Sequence, residues 1–253
     1  MSGHNKWANI KHRKGAQDKK RSSLFTKLIR ELTVSAKEGG GDPNSNSRLR
    51  TAIEKARQGN MPKDTIDKAV KRGTGELEGV DYVEIMYEGY GSGGVALLVY
   101  AMSDNKNRTA QEVRHAFSKY NGNMAEAGAV SWIFERKGVM SIETTEISDS
   151  DEFMLQVLDA GAEDIDEGTE TVSVITKAED LMSVADKLKE NGFDPKDIEI
   201  TYIPKTTIAV TGKDAERVLQ LVTKLEELDD IQNVYANFDI DDFELEQIME
   251  ELG

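Results

Sequence analysis

The sequence predicts an α+β protein of three domains: an N-terminal helical bundle and two ferredoxin-like α/β sandwiches, one inserted in the other. Three observations lead there. Residues 1–79 place apolar side chains at helical spacing, in short runs broken by glycine. From Val80 onward, strand-like runs alternate with amphipathic helices. Between Gly138 and Ile203 the order is strand, helix, strand, strand, helix, strand, the split β-α-β order of a ferredoxin-like domain. The elements on either side of it, Tyr82–Gly122 and Thr206–Phe238, can form a second such unit, which makes the middle module an insertion.

The first twenty residues, MSGHNKWANIKHRKGAQDKK, are polar, basic and nearly aperiodic, which predicts an extended arm. Ser22 or Ser23 can cap a helix to about Glu38, in which Leu24, Leu28, Leu32 and Ala36 recur every four residues with Phe25 and Ile29 beside them. Gly39, Gly40 and Gly41 stop it. A second helix starts near Asn46 or Ser47, buries Leu49, Ala52, Ile53 and Ala56, and ends at Gly59. Pro62 suits the first turn of a third helix with Ile66, Ala69 and Val70 inside and Gly73 at its end.

Tyr82–Tyr90 and Gly94–Met102 read as two strands joined by a glycine-rich turn, followed by a helix over Thr109–Tyr120. Strands are expected at Ala129–Glu135 and Gly138–Glu143, a helix over Glu152–Ala160, a strand pair around Ile165–Thr176, a helix over Ala178–Asn191 and a strand over Ile198–Ile203. Thr206–Thr211 reads as a strand, Asp214–Leu228 as a helix, Val234–Phe238 as a final strand, and Asp239–Gly253 as an acidic tail with some helical character. The expected domains are 1–79 (basic arm and three-helix bundle), 80–130 with 206–240 (discontinuous sandwich), 131–205 (inserted sandwich) and 241–253 (acidic tail).

The chain has no cysteine, which excludes disulfides, thiolate zinc sites and cysteine nucleophiles and suits a reducing compartment, so a cytoplasmic location is expected. No apolar run reaches the roughly 20 residues that span a bilayer, so no membrane partner is expected. The net charge of −15 hides a strong asymmetry. Residues 1–75 hold 18 Lys+Arg against 7 Asp+Glu, which leaves 14 against 40 for the rest of the chain. The first part is thus +11 and the remainder −26, a separation that points the basic part at nucleic acid.

The candidate contact residues lie in that basic part. The arm and first helix supply Lys6, Lys11, Arg13, Lys14, Lys19, Lys20 and Arg21, then Lys27 and Arg30, with Trp7 and His12 interleaved. Arg48, Lys55 and Arg57 add charge from the second helix. Lysine and arginine meet phosphates, while an aromatic ring can stack on an unpaired base. Trp7 could equally pack against the bundle.

No catalytic constellation or cofactor site is legible. Gly89-Tyr90-Gly91-Ser92-Gly93-Gly94 matches GxGxxG, but a strand rather than a helix follows, so a hairpin turn is expected instead of a dinucleotide loop. His4, His12 and His115 lack metal-ligand spacing, and acidic clusters such as Asp239-Asp241-Asp242 lack the glycine and glutamate of a calcium loop. No metal and no cofactor are expected.

Several stretches nevertheless form a specific pattern. Gly3-His4-Asn5-Lys6-Trp7-Ala8-Asn9-Ile10-Lys11-His12-Arg13-Lys14 and Leu24-Phe25-Thr26-Lys27-Leu28-Ile29-Arg30-Glu31 resemble the YebC/PmpR family. So do NSNSRLRTAIEKA from Asn44, Asn60-Met61-Pro62, Tyr87-Glu88-Gly89-Tyr90, DNKNRTAQEVRH from Asp104 and WIFERKG from Trp132. The resemblance runs through nearly the whole chain in order; Asn5 departs from the serine common there. It implies three domains around a central cavity, no enzymatic activity, no bound cofactor, and a role in regulating gene expression. Members include DNA-binding transcriptional regulators and, as an alternative, ribosome-associated translation factors that aid proline-rich sequences. The expected partner is therefore DNA and/or ribosomal RNA, the ribosome included, while the oligomeric state stays open.

Overall fold

The computed structural model describes residues 17–168 and 170–252, with side chains from Ser22 to Glu250. These residues form two compact units: residues 133–205, and the segments before and after them. In chain order the elements are α1 (Gln17–Gly39), α2 (Ser47–Gln58), α3 (Lys63–Gly73), β1 (Val83–Tyr90), β2 (Ala96–Ser103), α4 (Lys106–Lys119), β3 (Asn123–Ala125) and β4 (Phe134–Glu143). There follow α5 (Ser150–Ala160), β5 (Asp164–Glu167), β6 (Thr171–Lys177), α6 (Leu181–Glu190), β7 (Lys196–Pro204), β8 (Ile208–Ala209), α7 (Gly212–Glu226), β9 (Ile231–Ala236), β10 (Phe238–Asp239) and α8 (Asp242–Leu252).

The inserted unit has sheet order β5-β6-β4-β7, every neighbour antiparallel, as a ferredoxin-like sandwich requires. Met140, Ile142, Val172 and Val174 from the sheet pack with Phe153 and Val157 of α5 and Val184 and Leu188 of α6. Asp149 caps α5 by accepting from the Asp151 and Glu152 amides, and Gly161, at φ +107°, closes it in the left-handed conformation that glycine adopts without strain. β4 is one continuous strand through Gly138, where two short strands were expected. A Cβ at Gly138 would stand 2.5 Å from the Thr176 hydroxyl, so glycine here permits close packing rather than breaking the strand.

The other unit joins the helical bundle to a second four-stranded sheet, order β3-β1-β2-β9. Here the β1–β2 hairpin is central, and the edge strands β3 and β9 each follow a helix. This keeps the split β-α-β crossover but differs in connectivity from the inserted sandwich. Every residue of β2 but Tyr100 is buried, and Leu97, Val99 and Ala101 meet Val113 and Phe117 of α4 and Val218, Leu219 and Val222 of α7. In the bundle, Leu28, Leu32 and Ala36 of α1 pack on Leu49, Ala52 and Ala56 of α2 and on Ile66 and Ala69 of α3.

Three local expectations are corrected. α1 starts at Gln17, not at Ser22 or Ser23, because the Gln, Lys and Arg residues ahead of the serines are good helix formers and no glycine or proline stands among them. Residues 129–133 are a loop and a short 3-10 turn, not strand, because the Glu88 carboxylate binds amides of this segment. The expected strand at Thr206–Thr211 is trimmed to β8, and the one at Val234–Phe238 starts earlier, at Ile231, and is split into β9 and β10. The split falls at Asn237, whose side chain accepts from the Ala96 amide and donates to the Thr206 carbonyl.

The expected acidic tail is also more than a tail. α8 buries Leu245, Ile248 and Met249 in the core shared with α7 and β10, while Asp242, Glu246 and Glu250 are exposed. Leu245→Ala is expected to lower stability by about 2–5 kcal/mol, the range for truncating a buried leucine. Urea unfolding followed by circular dichroism measures it; a loss below about 1 kcal/mol would mean that α8 does not belong to the cooperative core.

Candidate nucleic-acid interface

Six of the predicted contact residues, Lys6, Trp7, Lys11, His12, Arg13 and Lys14, lie outside the described residues. Lys19, Lys20 and Arg21 fall on the first turns of α1, which carries the basic arm directly into the bundle. The remaining five can be placed, and the structure divides them.

Three serve the protein interior. The Lys27 ammonium donates to the Glu226 carbonyl at 2.8 Å, and the Arg30 guanidinium donates to the Asp229 carbonyl. Both acceptors lie at or just past the C-terminal end of α7, where carbonyls lack helical partners and the helix dipole favours cations. Arg30 also pairs with Asp230 at 2.7 Å and stacks over the Tyr82 ring; it is only 8% exposed and Asp230 only 3%. Asp230 further accepts from Ser103, Thr109 and Arg108. Burial alone would push its carboxyl up, but these donors and the Arg30 charge hold it below the usual carboxylate value.

Arg48 sits in a second network, bonded to Glu31, Glu38, Glu84 and Tyr100. Burial works against its charge, yet the hydrogen bonds to Glu31 and Glu84 and the Glu31 charge hold its pKa above the ordinary arginine value. Both residues fasten the bundle to the rest of its unit, Arg30 at the turn between α7 and β9 and Arg48 at Glu84 of β1 and Tyr100 of β2. Spacing within one helix could not reveal this, because Asp230 lies far along the chain from Arg30 and the carboxylates around Arg48 come from α1 and β1.

Lys55 is half-buried, and Arg57 is exposed. Sequence reasoning passed over α3, whose Lys63, Lys68, Lys71 and Arg72 are all exposed, on the side away from Ile66 and Ala69. Arg57, Lys63 and Lys71 edge one groove of about 690 Å³ with Ile53, Met61 and Val70 in its lining. Asp42, Asp67 and Glu76 line it too, so its charge is balanced.

A different kind of site stands at the end of β1. The Glu88 carboxylate is buried and accepts from the amides of Gly128 at 2.7 Å, Val130 at 2.6 Å and Ser131 at 2.9 Å. Burial would raise its pKa, but the three amides hold it below the ordinary value. These bonds take the amides that a strand would need, which is why residues 129–133 form a loop. Val130 and Ile133 turn inward while Trp132 between them is 67% exposed. The Trp132 indole N–H and the Tyr90 hydroxyl both donate to the Ala129 carbonyl, each at 3.0 Å. The GxGxxG stretch, which includes Tyr90, is a tight turn with Gly93 and Gly94 at φ +70° and +78°, and it leads into strand β2 rather than into a helix.

Comparison with known proteins places the chain. Residues 5–76 match the family model described as "TACO1/YebC protein N-terminal domain", and residues 82–238 match "TACO1/YebC second and third domain". The chain belongs to the TACO1/YebC family. Relatives named "probable transcriptional regulatory protein" occur in Thermosipho africanus, 62% identical over 100% of this chain and 99% of the relative, and in Pseudothermotoga lettingae, 58% identical over the full length of both. The fold is also that of a crystal structure, a conserved hypothetical protein of Aquifex aeolicus. It is 44% identical, with a TM-score of 0.84 over 93% of this chain and 97% of that one.

In this TACO1/YebC chain the two matched regions meet between α3 and β1, and the Arg30–Asp230 and Arg48–Glu84 contacts tie one region to the other. Among the described residues, no three His, Cys, Asp or Glu side chains are grouped to hold a metal, and no helix is long and apolar enough to cross a membrane.

Proposed function

We propose that this protein is a nucleic-acid-binding regulator of gene expression, specifically a DNA-binding transcriptional regulator that acts in the cytoplasm without catalysis. The observation that carries the reading is the charge separation. Residues 1–75 hold 18 of the 32 Lys+Arg and only 7 of the 47 Asp+Glu. With Arg30 and Arg48 held by internal partners, the phosphate contacts fall to the arm, through Lys6, Lys11, Arg13, Lys14, Lys19, Lys20 and Arg21. The exposed cations of α2 and α3, Arg57, Lys63 and Lys68 among them, extend the surface. Trp7 and His12 add ring faces within the same stretch. The regulatory names of the relatives agree with this. The acidic remainder repels phosphate and so orients a duplex toward the basic domain.

Crosslinking in living cells, with sequencing of both the DNA and the RNA recovered, tests the proposal. Enrichment of a few promoter segments over ribosomal RNA is the expected result. Enrichment of one ribosomal RNA site, with promoters at background, would replace it with a role on the ribosome.

A further inference from the structure

We propose that Trp132 and Tyr90 form a stacking platform for an unpaired base of single-stranded nucleic acid, separate from the basic arm. The proposal rests on the nucleic-acid-binding reading above and adds a second contact of different chemistry.

The geometry carries it. Trp132 keeps 67% of its surface exposed although its neighbours Val130 and Ile133 are buried. A large apolar ring left in water is unfavourable, and here it is also held in place. Its indole N–H is bound to the Ala129 carbonyl, the same oxygen that receives the Tyr90 hydroxyl. Ala129 belongs to the loop that the buried Glu88 carboxylate fixes through three amides. The polar tips of both rings are thereby turned toward the protein. What remains for a ligand is the ring face, since the N–H and O–H donors of the two rings are both engaged by the Ala129 carbonyl.

A ring face recognises another π face and is indifferent to base identity. Paired bases present their faces only to each other, so an intact duplex offers such a ring nothing except at its ends, whereas an unpaired base offers its face freely. A preformed ring also loses little conformational freedom when a base stacks on it. Glu126, whose backbone carbonyl accepts from the Ala129 amide of the same loop, carries an exposed carboxylate, which disfavours a phosphate near this loop and favours a base splayed away from its backbone.

The chain has two tryptophans, so Trp7→Phe leaves Trp132 as the sole indole reporter. The full-length variant is titrated with fluorescently labelled twenty-residue oligothymidylate, with oligouridylate of the same length, and with a duplex closed by a hairpin at each end. Anisotropy of the label reports binding, and tryptophan emission reports stacking. Single strands are expected to quench Trp132 while the closed duplex binds without quenching; the tighter of the two single strands identifies DNA or RNA as the source of the base. Trp132→Ala in the otherwise native chain is expected to weaken single-strand binding about ten-fold, with thermal unfolding and duplex binding unchanged, and Trp132→Phe to restore most of it. Unchanged Trp132 emission with the single strand bound, or equal quenching by the closed duplex, would overturn the platform and leave the proposed function standing. No binding of any of the three would overturn both.

Discussion

Asp230→Ala is expected to lower the stability of the protein by about 3–5 kcal/mol, the range for breaking a buried ion pair by removal of one partner. Asp230 accepts from four side chains, Arg30, Arg108, Thr109 and Ser103, and is almost wholly buried. Its loss leaves the Arg30 guanidinium, itself buried, without a countercharge in a site that water scarcely reaches. The damage falls on the joint between bundle and sheet, because Arg30 comes from α1 and Asp230 from the turn between α7 and β9. Urea unfolding measures the loss, and a value under about 1 kcal/mol would show that the network is dispensable. The native pair also sets a pH dependence. The Asp230 carboxyl titrates lower in the folded protein than in the unfolded chain, where its pKa is about 3.9. Its contribution is therefore complete above that unfolded value and is lost as pH falls toward and through the lower folded one. Asp230→Asn should flatten the acid limb of the stability curve below about pH 5 and leave the neutral-to-alkaline limb parallel to wild type.

The sequence made the fold legible where period and punctuation agree. The bundle follows from Leu28, Leu32 and Ala36 at four-residue spacing and from glycine and proline at the helix ends. The inserted sandwich follows from the order of its elements. Three of the misread elements share one cause: a side chain distant in sequence decides the local backbone. Glu88 turns residues 129–133 from strand to loop, Asn237 breaks the final strand, and Gly138 lies in mid-strand because Thr176 approaches it. α8 looked like a solvated tail because its acidic residues outnumber the three apolar ones that it buries.

The candidate site divides along the same line. Composition marked the basic N-terminal part of the chain, but it could not distinguish a cation meant for phosphate from one meant for Asp230 or for the open end of α7. Nor does any local pattern mark Trp132 as exposed, since WIFERKG reads as the start of a buried strand until the Glu88 bonds are known.

That distinction leads to the largest expected effect on binding. Replacing Lys6, Lys11, Arg13 and Lys14 together by alanine should weaken duplex binding by about two to three orders of magnitude near 0.1 M salt. It should also make the plot of log affinity against log salt shallower by about 3.6, since each duplex phosphate neutralised contributes roughly 0.9 to that slope. Arg30→Ala and Arg48→Ala are the instructive contrast. Both remove positive charge from the same basic N-terminal part of the chain, yet each cation already has carboxylate partners within the protein. They should reduce stability and leave the salt slope of the folded protein almost unchanged. Filter binding or anisotropy across a salt series, run beside urea unfolding for all three variants, separates the two classes. If the arm variant kept the native slope while Arg30→Ala lost it, phosphate recognition would lie on the bundle itself, and Arg30 would have to leave Asp230 to reach it.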